Sequence, residues 1–337
     1  MNITILGAGA WGTALAISLS AEAGANSSSR HQVTLWTRDA KHLAELVTQR
    51  VNRRYLPDFP LPDSLRLEPN LSAAVAAAEL ALIIVPAAGL RETLRSMVAC
   101  GKKIPVVWGC KGFEAQSAKL PHQIAQEEYV GVAPYGVLSG PSFAEEVARR
   151  MPTALTLASR DIEFANDISV ALHSTRLRVY SSDDVIGVEV GGAVKNVMAI
   201  AAGICDGMGL GNNARAALIT RGLAEMTRLG VKLGGRAETF MGLTGVGDLI
   251  LTCTSDLSRN RRVGLMLAQN KPLPEILREL GHTAEGVHTA PEVLRLGREM
   301  SLDMPIAEAV CAVLNGSMSA KVALEALLNR EPKKEVN

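Results

Sequence analysis

Apolar and polar residues alternate at the start of the chain. Asn2-Ile3-Thr4-Ile5-Leu6 reads as a strand, and Ala14, Leu15, Ile17 and Leu19 line one side of the helix that follows. The alternation of short β-rich runs with helical patterns continues to about residue 180. Runs at 80–85, 105–108, 130–138, 154–158 and 177–180 predict further strands. Such alternation implies an α/β fold with a doubly wound, largely parallel sheet. After Ser181-Ser182-Asp183-Asp184 the character changes. Helical patterns at 186–206, 214–229 and 307–314 are broken by glycine-rich turns, and β runs almost vanish. The predicted organisation is a Rossmann-like domain over 1–184, an all-helical domain over 185–330 and a polar tail over 331–337.

The connection between the first strand and helix is Gly7-Ala8-Gly9-Ala10-Trp11-Gly12. A G-x-G-x-x-G run has a physical meaning when it leaves a strand and opens a helix. Gly7 allows the tight turn, Gly9 lets a pyrophosphate approach the backbone, and Gly12 lets helix and strand pack closely. The phosphates then meet the free N–H groups at the positive end of the helix. These residues predict a dinucleotide site.

The second strand, Gln32-Val33-Thr34-Leu35-Trp36, runs on into Thr37-Arg38. A carboxylate in this place binds the ribose 2′-hydroxyl of NAD. Here Arg38 stands instead, and a guanidinium pairs with a 2′-phosphate. The reading is NADPH preferred, with NADH possible, because Asp39 is next in line and offers a carboxylate to a ribose. The polar run Ala25-Asn26-Ser27-Ser28-Ser29-Arg30 reads as a surface loop.

Composition narrows the classes of function. The 337 residues are 47% hydrophobic, enough core for two domains without staples. Thirty-five basic against 34 acidic residues leave a net charge of +1, and aromatics are 4%. Neither an electrostatic footprint nor stacking platforms for nucleic acid are expected. The five cysteines are scattered and the six histidines form no metal-ligand pattern. No metal is expected, and a reducing, cytoplasmic location is. The chain opens directly on a strand, so no signal peptide is expected, and the apolar stretch at 80–90 is too short to insert in a membrane.

Lys195 lies in Val190-Gly191-Gly192-Ala193-Val194-Lys195-Asn196-Val197-Met198, which apart from Lys195 and Asn196 is apolar or tiny. Lysines are rarely buried without a partner. Gly191, one turn earlier on the same face, is expected to leave room for a ligand. A desolvated ammonium suits general acid or base work; a lysine snorkelling from a core helix has the same pattern. Asp248, bracketed by Gly245-Val246-Gly247 and Leu249, is either a helix N-cap or the partner of Lys195, and both roles remain open. Ser258-Arg259-Asn260 makes a phosphate cradle, while Arg261 and Arg262 read as an exposed basic helix start. Gly140-Pro141-Ser142-Phe143-Ala144 and Lys111 each follow a strand, where a ligand is expected.

The runs Gly191-Gly192-Ala193-Val194-Lys195-Asn196, Leu138-Ser139-Gly140-Pro141-Ser142-Phe143-Ala144 and Leu243-Thr244-Gly245-Val246-Gly247-Asp248 resemble NAD(P)-dependent glycerol-3-phosphate dehydrogenases of the soluble bacterial type. Ser258-Arg259-Asn260 and Ala284-Glu285-Gly286 are similar too, so the resemblance runs from Ile3 to about Leu324. It implies reduction of dihydroxyacetone phosphate to sn-glycerol 3-phosphate, feeding phospholipid synthesis. It implies that Lys195 is the proton donor and acceptor, oriented by Asp248, with Lys111 stabilising the developing charge. Lys111, Gly140, Ser142, Lys195, Asp248, Ser258, Arg259 and Asn260 are the implied substrate contacts. Gly7, Gly9, Trp11, Gly12, Arg38, Tyr55, Lys111, Ala144, Arg259 and Glu285 are the implied cofactor contacts. A homodimer is expected. The departures are the Ser-rich loop near Asn26 and Thr283-Ala284, where the family more usually has a bulkier apolar pair. Two other readings compete: a different β-hydroxyacid dehydrogenase, which needs a carboxylate-binding residue in place of the phosphate cradle, and a non-catalytic NADPH sensor, which leaves Lys195 and Asp248 unexplained.

Overall fold

The computed structural model describes residues 1–20, 31–281 and 284–330. The Ser-rich loop near Asn26, Thr283 and the polar tail lie outside the described residues. The chain divides into two compact units, Met1–Glu189 and Val190–Asn337.

The first unit is an eight-stranded sheet covered by helices, with a small two-stranded sheet beside it. Its strands are β1 (Asn2–Leu6), β2 (Gln32–Trp36), β3 (Val51–Asn52), β4 (Leu56–Pro60), β5 (Arg66–Glu68), β6 (Leu80–Ile83), β7 (Val106–Trp108), β8 (Tyr135–Ser139), β9 (Thr153–Ala158) and β10 (Leu177–Ser182). Its helices are α1 (Ala10–Ser20), α2 (Ala40–Gln49), α3 (Leu71–Ala76), α4 (Leu90–Ala99), α5 (Pro121–Glu128), α6 (Ala144–Ala148) and α7 (Ile162–Leu172). The large sheet runs β10-β9-β8-β7-β6-β1-β2-β5. All neighbours are parallel except β8 and β9. The order reverses beside β1, where an open α/β sheet offers its crevice. Central strands are buried on both faces, and Leu80–Ile83 is buried at every position.

Two differences from the sequence pattern have local causes. The strand expected over 130–138 begins only at Tyr135, because Gly131 is left-handed at φ 73° and Pro134 carries no N–H for a ladder. The antiparallel pair β3–β4 and the edge strand Arg66–Glu68 were not expected. They are short, and their sequences lack sustained alternation.

A long helix, α8 (Val185–Gly207), starts in the first unit and continues into the second. The sequence division at 184/185 follows the start of this helix, whereas Val185 and Val188 pack into the core beneath the sheet. Alone among the described helices, it is long and apolar enough to cross a membrane, and 94% of its apolar window is buried within the protein. The rest of the second unit is helical: α9 (Gly211–Lys232), α10 (Ala237–Phe240), α11 (Asp248–Thr254), α12 (Arg259–Ala268), α13 (Leu273–Leu280), α14 (Glu285–Glu299), α15 (Pro305–Leu314) and α16 (Ala320–Leu328).

Glu225 of α9 is 2% exposed. Its carboxyl accepts the N–H groups of Ile306 (2.8 Å) and Ala307 (3.2 Å), the orphan donors at the start of α15. Burial pushes its pKa up to about 7, against the partial relief of those two bonds and of nearby Arg228, while Asp303 adds to the rise. A carboxyl raised on folding stabilises fully below its unfolded value near 4.5, and that contribution is lost as pH rises through 7. Glu225→Gln removes the charge and keeps one of the two acceptor oxygens. The stability difference between wild type and variant should therefore drift by up to roughly 3 kcal/mol in favour of the variant between pH 5 and pH 8. Urea unfolding across that range tests this; parallel curves would show that Glu225 titrates normally.

Candidate active site

In the first unit the glycine turn has the geometry its sequence implies. Gly7 has φ 122°, and a Cβ there would collide with the carbonyl oxygen of Ile84. A Cβ on Gly12 would collide with the carbonyl oxygen of Gly7, whereas one on Gly9 meets nothing within 4 Å. Two glycines are therefore required by packing and the third faces open space. Gly7 N–H donates to the Trp36 carbonyl at 2.9 Å, tying the turn to the end of β2. The Trp11 ring lies where a Cβ on Gly109 would sit, and its buried Nε1 has no partner among the described residues.

Beyond β2, Arg38 projects into solvent with its side chain 79% exposed, and Nη1 lies 3.4 Å from a Glu92 carboxylate oxygen. Asp39 is differently engaged. It caps α2, accepting from the N–H groups of Lys41 and His42 at 3.0 Å, and pairs with Arg54 at 3.2 Å. The bond from His42 leads in holding its pKa below the ordinary value. Capping uses Oδ1 and the Arg54 pair uses Oδ2, and the Asp39 side chain stays half exposed. Tyr55 packs edge-on against His42, centroids 5.3 Å apart, with the Arg54 guanidinium 5.2 Å from its ring.

Lys111, Gly140 and Ser142 come together at the ends of the neighbouring strands β7 and β8. Lys111 Nζ and Ser142 Oγ both donate to the Gly140 carbonyl, at 3.0 and 3.1 Å. Gly140 takes φ 135°, and Ala144 opens α6 just after it.

In the second unit, Lys195 of α8 is buried, its side chain 8% exposed, and its ammonium contacts the Asp248 carboxylate. Nζ also donates to Thr252 Oγ1 at 2.9 Å, one turn further along α11. Asp248 is the first residue of α11, and Gly247 holds the cap position without a side-chain bond. Of the two roles open for Asp248, the structure takes partnership with Lys195 and not capping. The expected ligand space at Gly191 is absent: a Cβ there would strike the Thr244 carbonyl oxygen, so this glycine admits backbone.

Ser258 is the N-cap of α12, accepting from Arg261 N–H at 3.2 Å. Arg259 is exposed on the first turn. Asn260 is buried: its amide donates to Asn196 Oδ1 at 3.0 Å and its carbonyl accepts from Gly286 N–H at 2.9 Å, beside half-buried Glu285. Arg262 is exposed as expected, but Arg261 is not. Its guanidinium is buried in pairs with Asp206 (2.7 Å) and Asp256 (2.6 Å), because the i+3 helical position turns it inward towards α8.

Two family models cover nearly the whole chain. One, described as NAD-dependent glycerol-3-phosphate dehydrogenase N-terminus, matches residues 2–165; the other, the C-terminus of the same family, matches 184–325. The chain belongs to this family. It is 69% identical over 336 residues to a protein of Nitrosospira multiformis named glycerol-3-phosphate dehydrogenase (NAD(P)+), with 100% of both chains covered. It is 59% identical, again over 100% of both chains, to one of the same name from Nitrosomonas eutropha. Among solved structures, a glycerol-3-phosphate dehydrogenase from Coxiella burnetii matches with a TM-score of 0.91 and 42% identity, covering 98% of this chain and 99% of that one.

Set in this family, the chain has residues of interest that sequence reasoning passed over. Thr252 carries the one usable signal, since it follows Asp248 at the i+4 spacing of a shared helix face. Asn196 is marked in the sequence only by its motif, and His42 and Asn52 carry no local signal.

A buried ion pair is costly to break from one side. Asp248→Ala should lower the unfolding free energy by about 3–5 kcal/mol, since it leaves the buried Lys195 charge without its carboxylate. Adding Lys195→Met should recover part of that loss. Denaturant unfolding of the two variants checks this. A double variant as unstable as the sum of its single changes would mean that the charges do not interact.

Proposed function

We propose that the protein interconverts dihydroxyacetone phosphate and sn-glycerol 3-phosphate with NADPH as preferred cofactor and NADH as alternative, supplying glycerophospholipid synthesis. The observation that carries the reading is the buried Lys195–Asp248 pair, set by Thr252. It holds one ammonium in a stretch of α8 that, Asn196 apart, is otherwise apolar or small.

The glycine turn fits a dinucleotide, because Gly7 and Gly12 are fixed by packing while Gly9 faces open space. A nicotinamide cofactor held there would supply the hydride that reduces C2 of the ketone. As the C2 carbonyl becomes an alkoxide, Lys195 gives it a proton, and in the reverse direction takes the proton back. Asp248 offsets the desolvation of the ammonium and holds it in one place. Lys111 and Ser142, gathered at the Gly140 carbonyl, offer donors to the substrate oxygens. Arg259 is an exposed cation in the first turn of α12, where the helix dipole also favours phosphate. Ser258 and Asn260 shape that turn from within. Trp11, Tyr55, Ala144 and Glu285 complete the proposed cofactor contacts. All five cysteines are free, which supports a reducing, cytoplasmic compartment. A homodimer is part of the same reading and rests on the family resemblance.

The direct test is NADPH oxidation with dihydroxyacetone phosphate, with the unphosphorylated ketone for comparison. Lys195→Ala should lower kcat by about 10²–10⁴-fold, the range for losing a general acid, while NADPH still binds. A folded variant with near-normal kcat, under conditions where chemistry limits turnover, would transfer the role to Lys111.

Arg38→Ala should weaken NADPH by roughly one to two decades more than NADH, the worth of a charged hydrogen bond to the 2′-phosphate. Equal losses for the two cofactors, measured by fluorescence titration, would show that Arg38 does not read that phosphate.

A further inference from the structure

The carbonyl of Ala8, inside the glycine turn, accepts two side-chain donors from outside it. Asn52 Nδ2 lies 3.0 Å away and His42 Nε2 lies 3.2 Å away. A carbonyl can only accept, so His42 carries its hydrogen on Nε2. Both residues are buried, Asn52 fully so. Asn52 also donates to Thr13 Oγ1 at 2.7 Å, in the first turn of α1, and its own carbonyl accepts from Tyr55 N–H at 3.2 Å. One side chain therefore joins the glycine turn, the start of α1 and the turn that carries Tyr55.

The peptide that joins Ala8 to Gly9 is planar and trans, so its C=O and N–H point in opposite directions. Two donors that hold the Ala8 oxygen inward must turn the Gly9 N–H outward. That N–H has no partner among the described residues. Gly9 is also the position where an added Cβ meets nothing within 4 Å.

We propose that Asn52 and His42 are positioning residues for the cofactor pyrophosphate: by clamping the Ala8 carbonyl they aim the Gly9 N–H at a phosphate oxygen. The inference rests on the reading that the glycine turn holds that pyrophosphate. Both residues lie outside the glycine motif, and neither touches the cofactor in this scheme. Because NADPH and NADH share the pyrophosphate, the clamp serves both equally, in contrast to Arg38.

The test uses His42→Leu, which removes the donor, His42→Gln, which keeps one, and Asn52→Ala. Affinities for NADPH and NADH are measured beside that for adenosine 2′-monophosphate, which has no pyrophosphate. His42→Leu and Asn52→Ala should weaken both dinucleotides by the same factor, roughly tenfold for a misaligned hydrogen bond to a charged group. The fragment should bind as before, the apparent KM for NADPH should rise more than kcat falls, and His42→Gln should restore most of the loss. If Asn52→Ala does not fold, the two His42 variants carry the test. Folded variants with wild-type dinucleotide affinity would overturn the clamp, as would equal losses for dinucleotide and fragment. Gly9→Val separates the two levels. If it binds NADPH normally, the turn does not hold the pyrophosphate and both readings fall. If it weakens NADPH while the clamp variants do not, the clamp alone falls.

Discussion

The second unit depends on backbone reaching the surface of α8. A Cβ at Gly191 would meet the Thr244 carbonyl, and one at Gly203 would meet the Arg261 carbonyl. From the opposite side, Gly264 faces the Ile200 carbonyl and Gly286 the Asn196 carbonyl, at distances that no side chain would tolerate. Bare helix surface lets the turn before α11, then α12 and α14, come within reach of short polar side chains on α8. Lys195 then meets Asp248 and Thr252, and Asn196 meets Asn260. With larger residues at the glycines, those partners would stand too far off to compensate a buried charge.

Charge burial in this unit comes in two kinds. Arg261 has two aspartates, and Asp206 also binds Arg215 at 3.1 Å, so its cost is spread over a network. Lys195 instead meets the Asp248 carboxylate and the Thr252 hydroxyl, both on α11.

In the first unit the same economy of contacts separates roles between neighbours. Asp39 stabilises the start of α2 and so leaves Arg38, one residue earlier, as the exposed charge at the end of β2. Gly7 and Gly12 let the turn and the start of α1 pack close to Ile84, just past β6, and the side chains of Asn52 and His42 close the remaining gap beneath Ala8. Rigid packing thus surrounds a turn whose outer face stays open.

The features legible in the chain were those set by neighbours in sequence. Periodicity of two against 3.6 separated the sheet from the helical unit, and spacing within seven residues marked the glycine turn. Lys195 stood out because an ammonium inside an apolar helix demands a partner, although two partners remained conceivable for Asp248. What the sequence left undecided depends on residues far apart in the chain. Whether Asp248 caps a helix or meets Lys195 turns on the approach of α11 to α8. Whether Arg261 is exposed turns on Asp206, more than fifty residues away in the chain. Gly191 reads as space for a ligand until the Thr244 carbonyl fills it. Asn52 has no local pattern at all, because a carboxamide becomes meaningful only when folding places a carbonyl and a hydroxyl at its two hydrogens. Local periodicity selects elements; burial and hydrogen-bond satisfaction, which act through space, assign the side chains their partners.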